Sequence, residues 1–213
     1  MMSSAWVPDG LNAADDRPHE PTADPWWGEW WRFDFAGDVD HLAGLVRVCL
    51  LPNQATAWYW ASLDGVDRRP VVVHDDEVAL RRHDSLEIRG EGLWADHIIE
   101  VPFEQMTVGC EAFALRLDDP AAIDDDPVVG ERIPFGLDLE WETTKRAGTV
   151  GETARDTSEV WQGIDPSPAR YELACEVHGD VLVADERIEI ETRGLRSHGW
   201  GVVARSSKPR WSG

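Results

Sequence analysis

Residues 94–100 read WADHIIE, the densest polar cluster on any stretch with strand-like alternation. Alternation puts Trp94, Asp96, Ile98 and Glu100 on one face and His97 with Ile99 on the other. Asp96 and Glu100 stand two pleats apart, about 13 Å, too far for one dyad. A carboxyl facing an apolar interior has a raised pKa and can act as a general acid. Facing water, or paired with Arg, it is an ordinary surface acid. In GCEAFALRL (109–117), Glu111 shares a face with Phe113, Leu115 and Leu117. An acid on such a face either pairs with a buried Arg or meets a ligand. Near the other end, Arg196, His198 and Trp200 share a face of GLRSHGWGV (194–202). His198 is either a proton carrier at the floor of a pocket or a structural imidazole, bonded to backbone or carboxylate and packed against Trp30 or Trp31.

Other chemistries lack their residues. There is no nucleophile elbow, P-loop, GxGxxG, HExxH or zinc-type spacing. In LDLEWE (137–142), Asp138, Glu140 and Glu142 alternate with apolar residues, with successive carboxylates about 7 Å apart, which describes a solvated face and not a metal cage. His41, His74, His83 and His178 are scattered, as surface residues are. No metal and no cofactor is expected. Cys49, Cys110 and Cys175 are odd in number and far apart, which predicts reduced, buried thiols and a cytoplasmic setting. A net charge of −21 disfavours nucleic acid and anionic lipid as partners. The opening is polar and proline-broken, unlike a leader peptide, and no apolar run approaches the ~18 residues of a membrane helix.

The tryptophans set a second problem. PWWGEWWRFDFA (25–36) holds four of them within six positions. Left exposed together they would form a patch of about 800 Å², more than a soluble monomer usually carries. They must pack in a core, line a cavity, or meet a partner. The cavity reading assigns Trp30, Trp31, Trp58, Trp60, Trp94 and Trp200 to the wall of one apolar pocket.

These residues need elements to hold them. Residues 1–25 are acidic and proline-rich and read as a flexible lead-in. After them come short runs of period 2: 29–35, 43–51, 56–62, 70–74, 84–90, 94–101, 106–117, 135–143, 169–177, 180–184 and 187–193. In the first, Trp31, Phe33 and Phe35 oppose Trp30, Arg32 and Asp34; AGLVRVCLL (43–51) is apolar on both faces. Turn signals LPNQ, LDGVD, RGEG, LDDP and HGD separate many of the runs. One helical turn is expected within 119–126. About ten strands at this spacing predict an all-β antiparallel barrel or sandwich. The domain should cover 26–205, with a polar insertion at 145–168 and a tail at 206–213.

Two motifs carry a family resemblance. GEWWRF (28–33) resembles the opening EWW strand of the lipocalin-like proteins related to carotenoid 1,2-hydratase and the AttH type, and GLRSHGWGV (194–202) is similar to their DH-x-WG signature. EIRGEGLWADHIIEVPFEQMTVGCEAFALRLDDP (87–120) and IPFGLDLEWE (133–142) resemble a mainly actinobacterial branch of that superfamily. The resemblance implies a lipocalin-like fold over roughly 26–203, and a hydratase or cyclase activity. It also implies a second lipocalin-like half in full-length relatives, so this chain is expected to be an N-terminal half standing alone, a truncated relative, or half of a dimer-built site. The signature's Asp, implied to protonate an alkene, is Ser197 here, and its usual Ser is Gly199. Neighbours on a strand face opposite ways, so only one of positions 197 and 198 can point inward.

Three functions follow as expectations. The first is binding of a hydrophobic small molecule (isoprenoid, polyketide or fatty-acyl) in a Trp-lined barrel. The second is a cofactor-free hydratase, isomerase or cyclase using His198 with an inward Asp96, Glu100 or Glu111. The third is a non-catalytic half-domain in an assembly such as a homodimer.

Overall fold

The computed structural model describes residues 6–37, 41–124, 128–150 and 169–202. Among the described residues ten strands follow one another: β1 Trp27–Ala36, β2 Ala43–Leu51, β3 Thr56–Asp64, β4 Val71–Ala79, β5 Ile88–Gly90, β6 Leu93–Val101, β7 Gln105–Arg116, β8 Glu131–Val150, β9 Ala169–Val183 and β10 Glu186–Val202. They form one antiparallel sheet ordered β4-β3-β2-β1-β10-β9-β8-β7-β6-β5, and a short β4–β7 pairing closes it. The fold is thus all-β, and of the expected barrel or sandwich it is the closed antiparallel barrel. Closure gives each strand an inner and an outer face. Among the described residues no helix is long and apolar enough to cross a membrane.

Period 2 places the core. Trp31, Phe33 and Phe35 of β1 point inward with Val46, Val48 and Leu50 of β2, Tyr59 of β3, Met106 and Val108 of β7, and Leu139 and Trp141 of β8. The outer face of β1–β3 carries a second cluster, where Trp30, Cys49, Leu51 and Trp60 are buried under Trp26 and Trp58. That explains why β2 is apolar on both sides. All three cysteines are buried and free. The helical turn expected in 119–126 is the short 3-10 turn Pro120–Asp124.

The structure departs from the sequence reading in three places. The HGD signal is not a turn: 169–177 and 180–184 fuse into β9, and Gly179 sits inside it at φ +136°. A Cβ there would lie 2.1 Å from the Asp138 carbonyl oxygen, so glycine permits a close approach of the β8 backbone, and its presence gives the sequence the look of a loop. The expected insertion 145–168 begins within β8, which runs to Val150; 151–168 and the tail 206–213 lie outside the described residues. Residues 6–25 are not a loose lead-in. They form a strap over one barrel end, with a 3-10 turn at Ala13–Asp16 closed by a reciprocal Asn12–Asp15 capping box. Trp6, Val7 and Leu11 pack against the core.

Candidate functional site

The strap end gathers four buried polar side chains, Asp16, Glu29, Arg196 and His198. β1 pairs with β10 so that Trp31 lies opposite His198 and Glu29 opposite Trp200. Arg196, His198 and Trp200 therefore point inward, while Ser197 faces outward opposite Arg32. The fork posed by the DH-x-WG signature resolves in favour of the histidine. The serine at 197 removes nothing from the interior.

His198 is 1 % exposed and stacks on Trp31 with ring centroids 4.2 Å apart. Its Nε2 lies 2.7 Å from Glu29 Oε1 and its Nδ1 lies 3.1 Å from the Asp15 carbonyl oxygen. Both nitrogens thus face acceptors, and the geometry accommodates a proton on each. Glu29, also 1 % exposed, holds the strap as well: its Oε2 accepts from the His19 backbone N–H at 2.9 Å, and Oε1 lies 2.7 Å from His19 Nδ1. Burial alone would raise the Glu29 carboxyl, but hydrogen bonds from His19 and His198 overcome it and hold the carboxyl below its ordinary range. Burial acts on His19 in the opposite direction, lowering it, and is outweighed by its bonds to Glu29 and Asp15, so His19 is raised. The His19 ring stacks on Trp200 at 3.9 Å.

A second network adjoins the first. Asp16, wholly buried, accepts from Tyr171 Oη at a short distance, from the Phe103 backbone N–H at 2.5 Å and from Arg196 Nη2 at 3.3 Å. Arg196 Nη1 also reaches the Met106 sulfur at 3.5 Å. The Tyr171 and His198 rings meet edge to face at 5.4 Å. Burial first, then the Asp16 charge, raises the Tyr171 phenol well above its usual value. Two networks in an apolar barrel end can together hold, deliver and receive a proton, and can stabilise negative charge.

The other predicted acids lie elsewhere. On β6 it is Ala95 and His97 that face inward, so Asp96 and Glu100 are on the outer side. Asp96 is half-buried and raised mainly by burial; Glu100 is exposed. Glu111 is exposed opposite Trp94, on a face where Phe113 is itself 53 % exposed. The small residues of β7, Cys110 and Ala114, go inward instead. Asp96, Glu100 and Glu111 therefore do not join His198. His97 is buried between Phe33 and Tyr59, bonded to the Leu86 carbonyl at 3.0 Å, and burial pushes it down to about 4.

The six tryptophans do not share one space. Trp31 and Trp200 flank His198, while Trp30, Trp58 and Trp60 belong to the outer cluster. Trp94 lies on the outer face, its Nε1 donating to Glu87 at 3.3 Å. The clefts at the far barrel end and beside the β9–β10 hairpin are lined by no tryptophan.

Asp16, His19, Glu29 and Tyr171 were missed in the sequence. For Glu29 a signal existed, since period 2 puts it on the Trp31–Phe33 face, an acid on an apolar stripe. His19, Glu29 and His198 also present ligand atoms within 4.8 Å of one another, as do Glu140, Glu142 and His178. Ligands on one tetrahedral ion with bonds of about 2.0–2.1 Å sit roughly 3.3 Å apart. The 2.7 Å contacts in the first group are hydrogen-bond lengths, over which a proton can be shared.

Comparison with known proteins adds a family and two distant likenesses. Residues 12–212 match the model of a family described as a domain of unknown function, DUF7064. No curated protein sequence matches. Among solved structures, kievitone hydratase from Nectria haematococca is similar at 10% identity and TM-score 0.47, covering 93% of this chain and 54% of that one. CghA is similar at 11% identity and TM-score 0.41, covering 87% and 52%. The chain spans about half the length of either protein.

Proposed function

This chain belongs to the DUF7064 family, and we propose that it is an enzyme performing proton-transfer chemistry on a hydrophobic small molecule, of the hydratase, isomerase or cyclase kind. The observation that carries this reading is the His198–Glu29 pair: a carboxylate and an imidazole 2.7 Å apart, each 1 % exposed, inside an apolar barrel. A fold gains little by burying such a pair, because desolvation consumes most of the attraction. As a device for holding a proton beside an apolar substrate it has a use. His198 would deliver or accept the proton, and Glu29 would orient the ring and balance its charge. While the strap is in place, the Asp15 carbonyl also holds the ring from the other side. Trp31 and Trp200 pack on His198 and Phe103 packs on Tyr171, and these rings would give apolar walls to an isoprenoid, polyketide or fatty-acyl substrate admitted there. Three buried free thiols support a reducing, cytoplasmic setting.

The test is deuterium exchange. Unsaturated isoprenoids, polyketides and acyl compounds are incubated with the protein in D₂O and read by mass spectrometry. The wild-type chain should add water or deuterium to at least one class. His198→Ala and Glu29→Gln should each lose about 10²-fold or more, the usual worth of a positioned acid–base group. Exchange that survives both substitutions, or a wild type inert across the panel, overturns the reading.

A further inference from the structure

Of the strap residues 6–25 only Pro8 and Asp16 are fully buried, so the side chain driven deepest into the barrel end is a carboxylate. Every donor it meets belongs to the barrel. Tyr171 comes from β9, Arg196 from β10 and Phe103 from the β6–β7 turn. Phe103 holds its N–H there from a left-handed backbone, φ 61°, a costly conformation for an aromatic residue. A phenol, a guanidinium and a strained backbone N–H converge on two oxygens, and the ring of that phenol stands 5.4 Å from the His198 ring, centroid to centroid. This is the donor set of an oxyanion site, built before any ligand arrives.

We propose that this cradle is the substrate-anchoring site, that it takes the carboxylate of an apolar small molecule, and that Asp16 occupies it as an internal stand-in until the substrate displaces the strap. The proposal rests on reading this barrel end as the active site, and it narrows the substrate to an apolar carboxylate. Charge balance supports it. Arg196 is 2 % exposed, and a cation so placed needs an anion at all times. Exchange of one carboxylate for another keeps that balance, whereas a neutral ligand would leave Arg196 uncompensated. The strap is suited to leaving. Apart from Pro8 and Asp16 its side chains are exposed or only half-buried, and its 3-10 turn is a single turn. The substrate's apolar body would lie where the strap lies now, against Phe103 and Trp200, and its anchored end would sit beside His198.

Two measurements test this without turnover. In Asp16→Gly the cradle is emptied. The variant should melt below wild type. Sodium acetate should raise its melting temperature saturably over sodium chloride of equal ionic strength, and adding Arg196→Met should abolish the response. The deciding measurement uses the wild-type chain, so a variant that fails to fold does not end the test. Decanoate should speed amide hydrogen exchange across 12–20 several-fold while leaving β1 protected, and 1-decanol should not. If decanoate leaves 12–20 unchanged, or decanol matches it, the cradle serves Asp16 alone and the proposal falls, whatever acetate does to the variant. Deuteration of a substrate through His198 without strap displacement would reject the cradle alone. Displacement without His198-dependent exchange would reject the catalytic reading alone.

Discussion

The two ends of the barrel use the same pair of chemical groups in opposite ways. At the far end, around an open cleft of about 680 Å³, Arg68 makes a two-pronged contact with Glu186 at 2.7 and 2.8 Å, and Arg69 bonds Glu131 at 3.0 Å. At the strap end, Arg196 meets Asp16 at 3.3 Å. By distance the far end is the better bonded. Exposure reverses the ranking. The side chains of Arg68 and Glu186 are 30 and 50 % exposed, whereas those of Arg196 and Asp16 are 3 and 0 %. Water screens the first pair and replaces either partner cheaply; the second has no substitute for a lost partner. Burial, more than contact length, marks where charge is placed for a purpose other than solubility.

Breaking the buried pair should therefore have the largest effect. Arg196→Met leaves Asp16 with two neutral donors in an apolar surround. Urea unfolding should show a loss of about 3–5 kcal/mol. A loss below about 1 kcal/mol would mean that water reaches Asp16 in solution, and the contrast between the ends would collapse.

The next effect is acid sensitivity. His97 is buried and neutral, and its folded value of about 4 lies below the ordinary 6.5. Below pH 6.5 the unfolded chain therefore takes up a proton that the folded chain refuses until about pH 4. Stability must fall across that window, by about 3 kcal/mol for a shift of this size. His97→Leu should flatten the acid limb of the stability–pH curve relative to wild type. Parallel curves for the two proteins between pH 6.5 and 4 would show that His97 is not held neutral.

What the sequence could and could not disclose follows from the range of the interactions. Alternation is local, so the two faces of β1 and of β10 were legible, as was the double apolar cover of β2. Which face is inside is not local. In WADHIIE the acids sort together on one face, but alternation leaves open whether that face meets the interior or water. The barrel turns the slimmer Ala95 face inward. Position 198 stood as a fork for the same reason, and only the register of Trp31 opposite His198 settles it. The strap was least legible. Asp16 meets Phe103, Tyr171 and Arg196 at separations of 87, 155 and 180 residues. No local pattern encodes such contacts, and an acidic, proline-rich stretch has the composition of a disordered one. Its one local signal was the Asn12–Asp15 box.

Gly199 offers a smaller test, because it probes the outer face of the same strand. A Cβ there would lie 2.4 Å from the Trp30 ring, and that ring is hemmed in by the outer cluster of Cys49, Leu51 and Trp60. Gly199→Ala should cost about 1–3 kcal/mol by overpacking. The effect should be confined to stability, since Gly199 faces away from His198. A variant of wild-type stability would show that Trp30 swings aside freely and that the outer cluster is loosely held.

The smallest effect belongs to the far end. Arg68→Ala removes a bidentate contact with ideal lengths, the kind that looks strongest on a contact map. Both partners are partly in water, and Glu186 without Arg68 is simply hydrated. Its carboxyl is lowered chiefly by the Arg68 hydrogen bond, so the substitution should return Glu186 toward the ordinary range with little else changed. The expected cost is about 0–1 kcal/mol, shrinking further as salt is raised from low to physiological strength. Equal losses for Arg68→Ala and Arg196→Met would mean that exposure does not distinguish the ends. A salt-insensitive loss above about 2 kcal/mol for Arg68→Ala would point instead to a desolvated cleft, and would make the far end a second place to look for a ligand.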